Sequence, residues 1–372
     1  MKSTNGQQII SLFEQWAPKS LAVEGDSIGL QIGTLNKPIS NVLVTLDVNP
    51  EVVQEAIDQN CQLIIAHHPP IFRGLKNMRT DLPQGSLIEK LIKHDIAVYA
   101  AHTNLDIATG GVNDLLANEL QLENVKILEP TSSEKLMKLI VFTPKEATEQ
   151  VRTALSKAGA GKIGEYEACS FTSSGEGRFK PSENAEPYIG KANELSVVEE
   201  DKIEVVFPIT NKNRVLKALL SSHPYEEPAY DVILLEVEVN EKGLGRIGTL
   251  PKAVTLSEYA KTVKQQLNVP FVRVVGNMEK TVQKVAVLGG DGNKYIQMAK
   301  RAGADVFITG DLYFHVAQDA EAINLAVIDP GHHVEQIMKV GVADYMNAAC
   351  TEKKLACTFI PSKISTEPFQ LI

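Results

Sequence analysis

Residues 42–68 read VLVTLDVNPEVVQEAIDQNCQLIIAHH, and residues 285–311 read VAVLGGDGNKYIQMAKRAGADVFITGD. Each is an apolar run, a polar turn, an amphipathic stretch at helical spacing and a second apolar run, which predicts strand, turn, helix, strand. Val44 to Ile65 and Val287 to Ile308 are both 21 residues apart, so the two segments align without a gap. After a connection of different length the match resumes: IAVYAAHTNLD, ending at Asp106, lies against LAVIDPGHHVE, ending at Glu335. The apolar runs do not alternate, as expected of central parallel strands covered on both faces. The chain is therefore predicted to be α/β, with two copies of one unit.

The first copy continues into LIIAHHPPIF, residues 63–72, where the apolar run stops at His67 and His68. In open α/β sheets ligands bind at the carboxyl edge of the strands, and imidazole is the commonest protein metal ligand. Adjacent strand residues point to opposite faces, so both histidines serve one site only if the chain is leaving the strand there, as Pro69-Pro70 suggests. Taken alone, the pair reads equally as two structural histidines in a strand-to-loop corner. The duplication changes the weighting, because the matched strand ends carry His67, His68 and Asp106 in copy one and His332, His333 and Glu335 in copy two. His332 and Glu335 face one ion if the segment turns helical after Gly331, whereas His333 would point elsewhere. Asp106 has a competing reading as a cap before Thr109. A dinuclear site needs nitrogen and oxygen ligands, carboxylates able to bridge, and positions left for water. His67, His68, Asp106, His332 and Glu335 fit that need, for two divalent ions per subunit. Such mixed ligands suit zinc, iron, manganese, cobalt or nickel, with zinc the first choice.

Composition bounds the remaining classes. The 372 residues suffice for two or three domains, and 44% hydrophobic content is globular. A formal charge of −9 and a pI near 5.5 argue against a dedicated nucleic-acid surface. The four cysteines, Cys61, Cys169, Cys350 and Cys357, are scattered without CxxC spacing, so neither a thiolate zinc site nor a disulfide framework is expected. No leader pattern or 18-residue apolar run occurs, and the protein is expected to be soluble and cytoplasmic, away from membranes.

Between the copies the pattern changes. KLIVF at 138–142, a helix after Pro144 ending at Gly159, YEACSFTSS at 166–174, KIEVVF at 202–207, a helix at 211–222 and DVILLEV at 231–237 give the order β-α-β-β-α-β, a ferredoxin-like α+β unit. Residues 174–200 read as a long mobile loop within it. The expected domains are 1–128 (first copy), 129–241 (insert) and 242–372 (second copy).

Five motifs carry a resemblance over the whole chain: GDSIGLQIG at 25–33, AHHPPIF at 66–72, HTNLD at 102–106, TGD at 309–311 and GHHVE at 331–335. In them the chain resembles the dinuclear-metal-centre hexameric proteins related to the NGG-interacting factor, whose bacterial members are called GTP cyclohydrolase type I, type 2 homologs. The resemblance implies His67, His68, Asp106, His332 and Glu335 as ligands, interlocked α/β units, and a toroidal homohexamer. It also implies an insert similar to the PII and CutA trimeric proteins, with HPYEEPAYD at 223–231 as its closing segment. The last motif has one residue fewer between His and Glu than in shorter members, which leaves the role of His333 open.

The activity implied is hydrolytic opening of the guanine imidazole ring of GTP, with attack at C8 and loss of formate. His102 and His315, each a few residues from a motif of its own half, are candidates for general acid or base, or else for a structural role beside the ligands. Arg73, Lys76 and Arg79, on the loop after the double histidine, are available to a triphosphate, and no P-loop is present. Two other functions fit the same residues. One is a metal-dependent regulatory or scaffold ring whose insert senses a small molecule or partner; the other is a dimetal phosphoesterase.

Overall fold

In the computed structural model, which describes residues 4–370 and 372, the apolar runs of the first copy form the strands Asn41–Thr45, Leu63–Ala66 and Ala97–Ala100. They are parallel and paired in that order, with Val44 opposite Ile65 and Ile65 opposite Tyr99. Thr358–Pro361 extends this sheet in parallel beside Asn41–Thr45, and Gly29–Ile32 closes the other edge antiparallel. The second copy repeats the pattern with parallel Thr281–Asp291, Val306–Gly310 and Ala326–Asp329, and with Arg273–Val275 antiparallel at its edge. The fold class is the duplicated α/β arrangement expected from the sequence.

Alternate residues along each strand enter different cores, which explains the continuous apolar runs. Val42, Val44, Leu63, Ile65, Ala97 and Tyr99 pack in one cluster with Val285, Val287, Val306, Ile308, Ala326 and Ile328. Their neighbours Leu43, Ile64, Ala66 and Val98 instead meet Val52, Val53, Ala56, Ile88 and Leu91 from the helices Pro50–Asp58 and Pro83–Lys93. In the second copy Ala286, Phe307 and Val327 likewise face Ile296, Ala299 and Ala320. Two helices interlock the copies: Val112–Glu119 packs on Thr281–Asp291, and Ile337–Glu352 packs on Asn41–Thr45. Each fully buried Val, Leu or Ile contributes roughly 1.5–3 kcal/mol, so the shared cluster holds the halves as one body. Local signals start the helices: the Asn49 side chain accepts from the Val52 N–H at 2.8 Å ahead of Pro50.

The chain forms two compact units, Met1–Ser132 with Lys242–Ile372, and Ser133–Glu241. In the second unit the element order is β-α-β-β-α-β. Val151, Leu155, Val215 and Leu219 of its helices pack against Leu139, Val141, Ile203, Val205 and Phe207 of its sheet. The stretch 174–200, expected as a loop, is strand at both ends and loop only over 180–195: Phe171–Phe179 pairs with Ser196–Pro208 down to Phe179 opposite Ser196. Gly175 and Gly177 dilute the strand signal, yet a ladder is made by the backbone, and both glycines sit in it opposite Glu200 and Val198. Among the described residues no helix is long and apolar enough to cross a membrane. All four cysteines are free, with Cys61 and Cys350 buried.

Candidate metal centre

The strand Leu63–Ala66 ends one residue before His67. The chain leaves the ladder there, and the His67 and His68 rings come to lie with centroids 5.2 Å apart. Asp106 follows the next strand on the short helix Thr103–Ile107. In the second copy the segment after Gly331 does turn helical: His332–Gln336 is a 3-10 helix, with His332 Nε2 3.1 Å from Glu335 Oε2. Glycines make the space. Gly331 holds φ +89°, in the left-handed region, where the chain swings from strand into helix. Gly290, at φ +64°, leaves room that a Cβ would take only 2.7 Å from Glu335 Oε1.

Each clustered ring is oriented through its Nδ1. His67 Nδ1 donates to the Ala101 carbonyl at 2.9 Å, His68 Nδ1 to Asp47 at 2.7 Å, His102 Nδ1 to Asp26 at 2.9 Å and His332 Nδ1 to Asp311 at 2.7 Å. A hydrogen bond from Nδ1–H to an acceptor fixes the tautomer that leaves Nε2 as a lone-pair ligand. Glu335 Oε2 lies 3.1 Å from His332 Nε2, 3.2 Å from His68 Nε2 and 3.8 Å from His67 Nε2. His67 Nε2 is 3.5 Å from Asp106 Oδ1, and both of these atoms are buried without a hydrogen-bond partner. Each such orphan costs about 1–3 kcal/mol unless something satisfies it.

Among the described residues three groups of side chains could hold a metal ion, their ligand atoms within 4.8 Å of one another: His67, Asp106 and Glu335; His68, His332 and Glu335; and His67, His68 and His102. Glu335 belongs to two of them. Burial pushes the Asp106 carboxyl up to about 6, with Glu335 adding to the rise against the pull of His67 and His102. Burial would raise Glu335 too, but the imidazoles of His332, His67 and His68 outweigh it and hold that carboxyl well below its usual range. His68 is pushed up to about 10 against its burial by Asp47 and Glu335, and His332 to about 9 by Glu335. The centre therefore favours positive charge at the Nε2 positions, and a metal binding there displaces protons.

His315 stands apart, exposed on the helix Phe314–Ala322 with Nδ1 3.2 Å from Gln318 Oε1. His333 is outside the three groups, its Nε2 buried without a partner. The supporting residues were missed in the sequence. Asp26 and Asp311 lie inside the motifs GDSIGLQIG and TGD without a role of their own there, and Asp47 lies two residues past the first strand with no signal of its own. Asn113 ties the halves together, donating to the Asp106 carbonyl at 3.1 Å and accepting the Gly289 N–H at 3.0 Å.

The profile of the Duf34/NIF3 family, NGG1p interacting factor 3, matches residues 4–368. The chain belongs to the Duf34/NIF3 family. Among its Duf34/NIF3 relatives, a Bacillus subtilis (strain 168) protein named GTP cyclohydrolase 1 type 2 homolog is 58% identical over 371 residues, covering all of both chains. A protein of the same name from Halalkalibacterium halodurans is 54% identical over 372 residues, again with full coverage of both. The crystal structure of a Bacillus cereus protein related to NIF3 matches with a TM-score of 0.91 at 51% identity, over the whole of each chain. The Duf34/NIF3 relationship thus spans both units and every residue of the histidine–carboxylate cluster.

Proposed function

We propose that this chain is a dinuclear divalent-metal hydrolase of the GTP cyclohydrolase 1 type 2 kind, opening the guanine ring of GTP with release of formate. The observation that supports the metal most is the buried, unsatisfied pair His67 Nε2 and Asp106 Oδ1, facing each other at 3.5 Å beside Glu335. His67, Asp106 and Glu335 are assigned to one ion, and His68, His332 and Glu335 to the other, with Glu335 shared. Zinc is the first choice of metal. When bound, such ions supply Lewis-acid stabilisation and an activated water. The guanine substrate is suggested by the name the relatives carry.

The chain's own residues then have separable tasks. Asp26 fixes the His102 ring through Nδ1, 5.2 Å from the His67 ring, so that its Nε2 can take or give a proton at the substrate. His315, outside the cluster, is given no such task. Arg73 and Lys76 line an open cavity of about 620 Å³ on the loop that follows the double histidine, where they would meet phosphate oxygens; Arg79 is paired with Asp81 instead. The protein is proposed to act as a cytoplasmic homohexamer. A metal-dependent regulatory ring is the second reading, favoured by the separate compact unit Ser133–Glu241 with a cavity of its own.

The test is formate release from GTP with each divalent metal, run beside phosphate release from a panel of phosphoesters. Metal-dependent formate, with His102→Ala keeping its metal but losing roughly 100-fold or more in rate, is the expected result. A metal-loaded protein that yields no formate contradicts the cyclohydrolase reading. Phosphate release in its place points to a phosphoesterase, and neither product points to the ring.

A further inference from the structure

Within the unit Ser133–Glu241 a cavity of about 760 Å³ lies between the strands Phe171–Phe179 and Ser196–Pro208, the loop 180–189 and the turn 225–229. That volume falls in the range of small-molecule sites, roughly 300–1,000 Å³. One wall is aromatic: the Tyr225 ring stands 5.8 Å from Phe179 and 6.3 Å from Tyr188, centroid to centroid. Glu226 accepts the Glu186 N–H at 3.1 Å and so ties the loop to the turn.

In the same wall lies a carboxylate that the protein has taken out of water. Glu200 is 8% exposed, and its Oε1 accepts from the Tyr225 hydroxyl at 2.8 Å. Space is kept for its other oxygen by Gly177, where a Cβ would come within 2.1 Å of Oε2. Three of the cations nearby are engaged elsewhere, Arg178 with Glu176 at 2.8 Å, Lys202 with Glu204 at 2.6 Å and Lys145 with Glu199 at 2.8 Å, while Lys180 of the lining is exposed to solvent. A buried carboxylate is stable when a cation pairs with it, and aromatic faces attract the same cations through their quadrupoles. We propose that this cavity binds a small organic cation, an ammonium group on an apolar body, with the charge at Glu200 and the body against Phe179, Tyr188 and Tyr225.

The site lies wholly in this unit and does not depend on the metal centre. The experiment uses the full chain, with ligand-observed NMR and calorimetry of three probes: benzylammonium, benzyl alcohol and benzoate. Benzylammonium is expected to bind at least about tenfold more tightly than benzyl alcohol, and benzoate more weakly still. Glu200→Gln should abolish the preference for the cation, while Tyr188→Ala, at an exposed wall position, should weaken benzylammonium several-fold. Both variants should keep the metal content of the parent, which separates this result from any failure of the metal assignment. Should Glu200→Gln fail to fold, Tyr188→Ala and the ranking of the three probes still decide. Equal binding of benzyl alcohol, preference for benzoate, a preference that survives Glu200→Gln, or no binding of any probe would overturn the proposal.

Discussion

The Nε2 atoms of His68 and His332 stand 3.3 Å apart, one contributed by each copy of the duplicated unit. Each ring donates through Nδ1 to an aspartate, Asp47 or Asp311, so the two lone pairs point at each other and at Glu335. Two lone pairs this close are held together only by a cation among them, a proton when the site is empty of metal or a metal ion in its place. Two of the three candidate groups, those that include Glu335, thus form only where the copies meet, whereas His67, His68 and His102 come from the first copy alone.

Asp47 is itself held by the C-terminal segment, where the Thr366 hydroxyl donates to its Oδ2 at 2.5 Å. Partners of this kind are typically worth about 10- to 100-fold in metal affinity. Asp47→Ala should lower zinc affinity by that factor in a competition titration with a chromophoric chelator, and Thr366→Val by less. Unaltered affinity in Asp47→Ala would remove the aspartate from the site.

Gly290 has two reasons to be glycine, its φ of +64° and its closeness to Glu335. Gly290→Ala should cost about 1–2 kcal/mol in backbone strain and also displace the carboxylate, so metal content falls along with the melting temperature. Gly164, at φ +55° with open space around its Cβ position, is the control. Gly164→Ala should show the strain and retain the metal. Full metal occupancy in Gly290→Ala would mean that Glu335 does not need that space.

His223 in the other unit is fixed as a neutral ring, because its Nδ1 accepts the Tyr225 N–H at 3.0 Å while Nε2–H donates to the Phe142 carbonyl at 2.9 Å. Burial lowers its pKa below the usual 6.5, outweighing the Phe142 contact and Glu200. The unfolded chain therefore takes up a proton first as pH falls, and this group's contribution to stability, whole above about pH 6.5, is lost on acidification below it. The His223 ring-proton shift, followed by NMR from pH 7.5 to 5, should give a midpoint below 6.5. A midpoint at or above 6.5 contradicts the neutral assignment.

Much of this was legible in the sequence, for identifiable reasons. The 21-residue spacing shared by Val44–Ile65 and Val287–Ile308 fixes strand, helix and register together, so the place of His67 at a strand end followed from it, and the resumed match after Ala97 and Ala326 brought Asp106 and Glu335 to equivalent places just past the next strands. The aspartates behind the rings were hidden because their task is three-dimensional: Asp26 lies 76 residues from His102, and no periodicity links them. The strand expected within YEACSFTSS runs on to Phe179, an extension obscured by glycines that take part in pairing but carry no side-chain pattern. His315 satisfied a rule of proximity in sequence, yet its helix carries it away from the cluster onto the surface.

The central claim is that two ions sit where the copies meet, with Glu335 common to both. The most direct measurement is anomalous diffraction from zinc-loaded crystals, with elemental analysis of the same protein and of an Asp106→Ala, Glu335→Ala double variant. The account predicts two ions per chain, one among His67, Asp106 and Glu335 and one among His68, His332 and Glu335, and none in the double variant. Two ions per chain retained by that variant, or anomalous peaks away from these side chains, would contradict it.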